Sequence, residues 1–412
     1  MTEPPLSDVR ILDLSRLLPG GFCSLLLADL GADVVKIEDT GMGDYVRWAP
    51  PYYGEDAQQA LGTRSALYLA LNRNKRSIRL DLKSDGGREA LLRLVAGYDV
   101  VLEGFRPGVL DRLGVGYERM REANPALVYC AITGYGQTGP NTARAGHDMN
   151  YLGLIGLLGL TGEPGGRPIQ SAGQIADIGG GALMAAFGVM AALHERQRSG
   201  QGQLVDVSMA DGALSWLSMV AGAYLCDGEV PRRGEGQLTG RFVCYLPYEA
   251  ADGHVTMGAL EPQFWARFCA GVGRDDLVSK QFERAGSEAW AEVADIFRSR
   301  TRAEWTAFND EHDAMIEPVL DLDEALGSEL VREREMVVEW EQPEIGPVRQ
   351  LGVPVKLSRT PGTVHAAAPA LGEHTDEVLH QAGFSADEVA ALLESGAAAG
   401  PAQEADEARF MS

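Results

Sequence analysis

Three side chains in this sequence are of types that move protons, and each stands at a corner between predicted elements. His147 lies in the run GHDMNY (residues 146–151), between two glycine-containing turns. A neutral imidazole is the natural base near pH 7; standing alone, a loop histidine is more simply a hydrogen-bonded structural residue. Asp177 immediately precedes Ile-Gly-Gly-Gly and a long apolar stretch. An aspartate there is a preferred helix N-cap. The glycines would also let a ligand approach the helix N-terminus, whose N–H groups and positive dipole end stabilise developing negative charge. Both roles can hold together. Glu261, in MGALEPQFW, follows a predicted strand and precedes a proline, so by itself it reads as a helix-start acid. Asp206 and Asp211 read as sheet-end and capping residues, and His194 as a residue near a helix C-terminus, where a cation is favourable.

Charge supplies a second kind of chemistry. The chain has 412 residues, 59 acidic against 36 basic, for a net charge of −23. So acidic a balance argues against a general nucleic-acid binder, which needs a basic face. Within it, Arg73, Lys75, Arg76, Arg79 and Lys83 crowd into LALNRNKRSIRLDLK, with Arg106 and Arg112 in EGFRPGVLDRLG and Arg144 beyond. A solvated charge run is the simpler reading of any one of them. Concentrated beside strand ends, they better suit a small polyanion bearing phosphates, which arginine's planar fork grips bidentately. The run GYGQTG (134–139) fits GxGxxG, but the PNTARAGHD that follows lacks an apolar helical period. A structural turn is expected there, and nicotinamide binding is disfavoured. Cys23, Cys130, Cys226, Cys244 and Cys269 are scattered without metal-ligand spacing. That predicts reduced thiols, no metal and a cytoplasmic protein. The opening MTEPPLSDVR has no apolar core that would make a secretory signal. The most apolar stretch, 178–193, falls short of the roughly 20 residues a membrane span needs, so no membrane partner is expected.

Such residues need a scaffold. Hydrophobic residues make up 45% and charged residues 23%, a globular composition, and the length suggests about two to three domains. Residues 9–38 read as a strand (9–14), a Pro-Gly-Gly break, a helix (22–30) and a strand (32–37), the β-α-β opening of a parallel sheet. The alternation continues with strands at 77–82, 99–103 and 126–132, and helices at 86–96, 108–113 and 178–198. From about residue 210 the texture changes. Residues 245–258 read as two antiparallel strands turning at Asp252-Gly253, and amphipathic helices are expected at 262–272, 287–299 and 302–312. A helix at 385–394 precedes an Ala/Gly/Glu-rich tail, 396–412, expected to fray. The fold class is α/β with a parallel sheet, plus a smaller α+β domain.

In order along residues 9–380 the chain carries LGADVVKIE, NRNKRSIRLDLKS, RPGVLDRLGVG, TGYGQTGP, GHDMNY, DIGGG, ERQRSGQGQ, GALEPQFW and LGEHTDEVL. Through these it resembles the class III CoA-transferase superfamily (CaiB/BaiF type), and within it the α-methylacyl-CoA racemases. GHDMNY with ALEPQFW is the more racemase-specific pair. The resemblance implies an interlocked homodimer. Each subunit would have a large Rossmann-like CoA-binding domain (1–209), a linker and small domain (210–345), and a C-terminal segment (346–412) returning to the large domain. The substrate would be an acyl-CoA thioester, with coenzyme A its handle and no separate cofactor. His147 and Asp177 would face the α-carbon, and Glu261 would approach from the partner's small domain. CoA contacts would fall on Leu80, Asp81, Leu82, Lys83 and Arg112, and on Arg144, Gly146, Asp148, Met149, Asn150 and Tyr151, with Arg73 matching a racemase arginine. Asp39 stands where many members carry a nucleotide-touching arginine. The stretch from Asp44 to Asn72, GLTGEPGGRP (159–168) and LGEHTDEVL look more like those of the transferases.

Racemisation requires removing a proton α to a thioester carbonyl and returning one to the opposite face, which two flanking groups do more easily than one. On the racemase resemblance, His147 deprotonates one epimer while protonated Asp177 delivers a proton from the other side, and the roles reverse for the other epimer. Glu261 orients His147, and N–H groups at the helix start after Asp177 bind the enolate. On the transferase resemblance, Asp177 is instead a nucleophile that forms a mixed anhydride and then an aspartyl-CoA thioester, and His147 is dispensable. A non-enzymatic acyl-CoA-binding module is the third reading. Residues 49–70 and 210–245 are expected to shape the acyl pocket.

Overall fold

The computed structural model describes residues 3–54 and 63–402; the expected pocket segment 49–70 therefore falls partly outside the described residues. The chain divides into two compact units. One comprises Met1–Ile155, Ala172–Trp216 and Leu330–Ser412, the other Gly156–Ser171 and Leu217–Glu329. These units divide at Trp216/Leu217 and Glu329/Leu330. Helix Met209–Ser215 packs on the helical run Ile175–Leu183 of the large unit. The hairpin Val337–Gln342/Gly346–Leu351 is tied to that unit too, by Gln342 Nε2 donating to Ala368 O (2.9 Å) and Gln350 Nε2 to Leu69 O (3.1 Å).

In the large unit, β1 (Arg10–Asp13), β2 (Asp33–Glu38), β3 (Lys75–Leu80), β4 (Val100–Glu103), β5 (Val128–Thr133) and β6 (Leu204–Ser208) run parallel in the order β3-β2-β1-β4-β5-β6. That is the doubly wound Rossmann order, whose direction of winding reverses between β1 and β4. Central strands of such a sheet are covered on both faces, and β5 is buried along its whole length. Leu12, Val35, Ile78, Val101 and Tyr129 contribute one side chain each from β1 to β5 to a core that Leu91 and Leu94 of helix Asp85–Val95 close. The expected Pro-Gly-Gly break lies instead inside the first turn of helix Leu18–Asp29. Proline is tolerated there because its missing N–H would have no partner anyway. The tail expected to fray from 396 is pinned as far as Ala402: Ala398–Ala399 add an antiparallel edge to β3, Asp81 N–H donates to Ala397 O (2.9 Å), and Ala402 N–H to Leu371 O (3.1 Å). Residues 403–412 lie outside the described residues.

Helix Met184–Ser199 continues the helical run from Ile175, making 25 helical residues, long and apolar enough to cross a membrane by length and composition alone. The span of 178–193 read from the sequence underestimates it. Its stripe Leu183, Phe187 and Met190 is exposed, Phe187 to 73%, whereas Ala182, Ala185, Val189 and Leu193 face the interior.

The small unit is built from the antiparallel sheet β7 (Tyr245–Ala250), β8 (Gly253–Gly258) and β9 (Ile316–Pro318). Helices Pro262–Gly271, Glu288–Arg298 and Arg302–His312 cover it, each within a residue of its expected limits. Trp265, Phe268, Phe297 and Trp305 are fully buried, with Phe268 and Phe297 stacked at 5.4 Å. Both indoles find carbonyl acceptors, Trp265 at Leu277 O and Trp305 at Phe297 O, as buried indoles must. Glu261 is the N-cap residue of helix Pro262–Gly271. Its side chain is exposed and makes no capping bond.

Candidate active site

His147 caps the helix Asp148–Leu154, in extended conformation, with its backbone N–H donating to Asn150 Oδ1 (3.0 Å). Its side chain is exposed. Two preceding glycines make room for this corner. A Cβ at Gly134 would lie 2.5 Å from the Tyr151 ring, and one at Gly146 2.7 Å from it. The Tyr151 hydroxyl donates to Gly146 O, and the ring meets Tyr135 edge-on at 5.1 Å. GYGQTG is thus a structural turn, closed by Gly136 N–H on Thr133 Oγ1 and Gln137 N–H on Asp206, with no helix behind it.

Asp177 lies in the first turn of a π-helix, Ile175–Leu183, capped by Gln174. It is therefore not the N-cap: the helix begins at Ile175, three residues before the start expected at 178, so Asp177 lies inside its first turn. Such π segments are rare and frequent at functional sites. The glycines after it do not open the helix to a ligand. A Cβ at Gly179 would lie 2.2 Å from the Trp216 ring, and one at Gly180 2.4 Å from Met209 O. A Cβ at Gly212 would meet Gly180 O at 2.0 Å. Gly180 and Gly212 are small because two helix backbones cross there. Nor are the first N–H groups of this helix free. Those of Ala176 and Asp177 donate to Asp148 Oδ1 (2.7 and 3.1 Å), and that of Ile178 to Gln174 O (2.9 Å). Enolate donors are accordingly not available from these three.

Burial and the neighbouring Asp148 charge push the half-buried Asp177 carboxyl up to about 6, with His147 opposing the rise. Burial and the Asp177 charge push the Tyr151 hydroxyl up to about 12. The large unit therefore brings His147 and Asp177 together at the starts of two packed helices, with Asp148 between them.

The basic cluster separates into two populations. Arg73, expected to touch CoA, is 3% exposed. Its guanidinium is bidentate on Asp29 (3.0 and 2.7 Å), with Nη1 on Leu351 O. Fork and partner are complete, so it offers nothing to a phosphate. Lys75 is buried among Gly21 O, Asn72 Oδ1 and Asp13, and burial lowers it to about 8. Arg76 pairs with Asp33 and Glu377, and Arg79 Nη1 donates to Gly400 O. Lys83, Arg106, Arg112 and Arg144 are exposed. The first three stand on segments leaving the carboxyl ends of β3 and β4, the side of a doubly wound sheet where ligands bind.

Leu80 is a core residue, Asp81 and Leu82 are half-buried, and Met149 and Asn150 are exposed. Asp148, expected to touch CoA, is instead 6% exposed and turned inward, and Tyr151 is buried. Asp39 holds Arg16 (2.8 Å) and accepts N–H bonds from Gly41 and Gly43, so the acid in place of an arginine organises its own loop. Asp206 accepts from Gln137, while Asp211 is capped by Ser208 rather than capping. His194 sits within Met184–Ser199, exposed.

Sequence reading missed two groups near β-strand ends. Burial pushes Glu103, at the carboxyl end of β4, up to about 7 against the N–H bond from Phe105 (2.6 Å). Leu17, between β1 and its helix, has φ 61° and is held by Asp44, whose carboxylate accepts its N–H and pairs with buried Lys36 (2.8 Å). Only a long-range contact distinguishes Leu17 from its neighbours, and no local pattern announces it.

The profile of CoA-transferase family III matches residues 6–375. The chain belongs to this family. It is 38% identical to the α-methylacyl-CoA racemase of Mus musculus over 400 residues, 94% of this chain and 96% of that protein. It is also 36% identical to the succinyl-CoA:mesaconate CoA-transferase of Haloarcula hispanica, over 92% of this chain and 96% of that one. A CaiB/BaiF family protein from Brucella suis superposes with a TM-score of 0.79 at 29% identity, over 92% of this chain and all of its own. This family III chain therefore has the CaiB/BaiF fold and is an enzyme of the racemase and CoA-transferase superfamily.

Proposed function

We propose that the protein is an α-methylacyl-CoA racemase, epimerising 2-methylacyl-CoA thioesters through an enolate. One observation carries this reading. Asp148, next to His147 at the start of its helix, accepts the Ala176 and Asp177 N–H groups (2.7 and 3.1 Å), so the turn carrying Asp177 packs against the turn carrying His147, and burial raises the Asp177 carboxyl. An acid and a base in neighbouring but different environments are what two-sided proton transfer requires. His147 takes the α-proton, the C–H electron pair moves into the thioester carbonyl, and Asp177 returns a proton to the opposite face. The two residues exchange roles for the other epimer. Each positioned acid or base contributes about 10²–10⁴-fold. Exposed Lys83, Arg106, Arg112 and Arg144 would bind the phosphates of CoA, whose remote contacts position the reacting carbon.

The proposal includes a homodimer. An exposed apolar stripe such as Leu183, Phe187 and Met190 supports a covering partner, and a second copy of the chain is the proposed cover. Glu261 from that copy would orient His147 and stabilise its imidazolium.

Transferase chemistry on Asp177 is favoured by one finding, the 36% identity to a transferase over nearly the whole chain. In that reaction the Asp177 carboxylate attacks the thioester carbonyl and CoA thiolate leaves, giving a mixed anhydride. The thiolate then attacks the aspartyl carbonyl and releases the first acid. A second carboxylate is needed to complete turnover. The two reactions separate when one pure epimer of a 2-methylacyl-CoA is incubated without any free carboxylic acid. The racemase reading expects loss of optical purity that His147→Ala removes. A single epimer that keeps its optical purity throughout, with CoA passing to an acid once one is added, would replace it with the transferase.

A further inference from the structure

We propose that Asp148 is the positioning residue of this site: its buried carboxylate clamps the turn carrying Asp177 onto the helix that begins at His147, and puts a fixed negative charge beside that turn. The inference rests on Asp177 being the reacting carboxyl, in either of the two reactions above.

The geometry is specific. One oxygen, Asp148 Oδ1, accepts from both Ala176 (2.7 Å) and Asp177 (3.1 Å) N–H groups across 28 and 29 residues of sequence. Those N–H groups belong to the first turn of a π-helix, where an unsatisfied donor is costly when buried. Asp148 is itself in the first turn of the helix capped by His147, and it is buried. Moving its carboxylate would move the Asp177 backbone relative to His147. A misplacement of about 1 Å can cost roughly 10²-fold in rate. No element other than this helix supplies the turn with a side-chain acceptor among the described hydrogen bonds.

The charge has its own consequence. Asp148 raises the Asp177 carboxyl, second only to burial, while His147 lowers it. The other titratable groups on elements packed against the π-helix are of different standing. Tyr151 shares the helix of Asp148, and Tyr135 meets the Tyr151 ring. Helix Leu18–Asp29 brings Cys23, whose thiol burial pushes far up, and Asp29, which is bound to Arg73. Helix Met209–Ser215 carries Asp211, while Met184–Ser199 carries His194, Glu195, Arg196 and Arg198 in its last turns. From β5 and β6 come Tyr129, Cys130 and Asp206. None of these but His147, Asp148 and burial enters the Asp177 shift.

Asparagine at position 148 separates the two contributions, because its side-chain oxygen can still accept both N–H groups while the charge is gone. The test is a carbon-13 NMR titration of aspartate carboxyls in substrate-free protein, the Asp177 resonance assigned by its loss in Asp177→Asn. Wild type, Asp148→Asn and Asp148→Ala are compared, with kcat and KM measured on the same samples. In Asp148→Asn the Asp177 midpoint should fall by about one pH unit, with kcat down about tenfold and KM little changed. Asp148→Ala should lower kcat about 10²-fold or more; if it fails to fold, the asparagine variant decides alone. An Asp177 midpoint that does not move in Asp148→Asn overturns the proposal, whatever the variant does to turnover. Because the titration needs no substrate, a wild-type protein without racemase or transferase turnover would sink the functional reading and still leave this one decided by the midpoint.

Discussion

At the scale of single residues, the proposed chemistry is one of shared protons. If His147 and Asp177 act as a pair, the active enzyme carries one proton on the two together, whichever epimer is consumed. kcat/KM should therefore be bell-shaped in pH, with the same two apparent values for both epimers, and those values belong to the pair. An Asp177 nucleophile would show only an acid limb, activity falling as pH drops below about 6. The same carboxyl has a stability signature. Its folded value of about 6 lies above the roughly 3.9 of an unfolded aspartate. The stability associated with its proton is therefore present below about pH 4 and lost as pH rises through 6. Asp177→Asn should accordingly melt above wild type at pH 8 and level with it at pH 4, despite losing turnover. Arg73 tests the division of the basic residues. Arg73→Ala leaves Asp29 buried without its guanidinium and should cost about 3–5 kcal/mol in denaturant unfolding, while KM for acyl-CoA in the folded enzyme stays as it was. Arg112→Ala should do the reverse, raising KM about tenfold without loss of stability.

Among elements, the crossing of the π-helix Ile175–Leu183 with helix Met209–Ser215 controls where Asp177 sits. A methyl group at Gly212 would lie 2.0 Å from the Gly180 carbonyl oxygen, and backbone cannot yield as a side chain does. Gly212→Ala should cost about 1–3 kcal/mol or more and lower kcat at the same time, both readable by thermal melts and assays on one preparation. Much of the scaffold is legible in the sequence, because strand and helix periods alternate cleanly from Arg10 to Thr133 and the Asp252-Gly253 turn marks its own hairpin. His147 and Asp177 are legible too, by residue type and by glycines nearby. What is not legible is what distant contacts decide. The π register depends on Asp148 accepting from residues far along the chain, and DIGGG looks the same whether its glycines face a ligand or another helix. Likewise NRNKRSIR reads as one basic cluster until Asp29, Asp33 and Asp13 are seen to take its members inward.

For the whole molecule, the proposal places a complete site in an assembly of two copies, with His147 and Asp177 from one and Glu261 from the other. This predicts complementation. His147→Ala and Glu261→Ala should each be nearly inactive alone. Co-refolded in equal amounts with random pairing, about half of the dimers should be mixed, each with one of its two sites intact, so about a quarter of the wild-type rate should return. Sedimentation of the wild-type chain as a dimer should accompany it; a monomer of full activity would contradict the arrangement. At this scale the sequence is least informative. An exposed stripe such as Leu183, Phe187 and Met190 is indistinguishable, as a string of letters, from the apolar face of a core helix.

The measurement that bears most directly on the central claim is proton NMR of the purified enzyme with a 2-methylacyl-CoA in D2O, with and without an added free carboxylic acid. Racemase chemistry predicts loss of the α-proton signal with no acid present, unaffected by adding one and abolished in His147→Ala. An α-proton signal that persists, with CoA passing to the added acid, would contradict it and make Asp177 the nucleophile of a transferase.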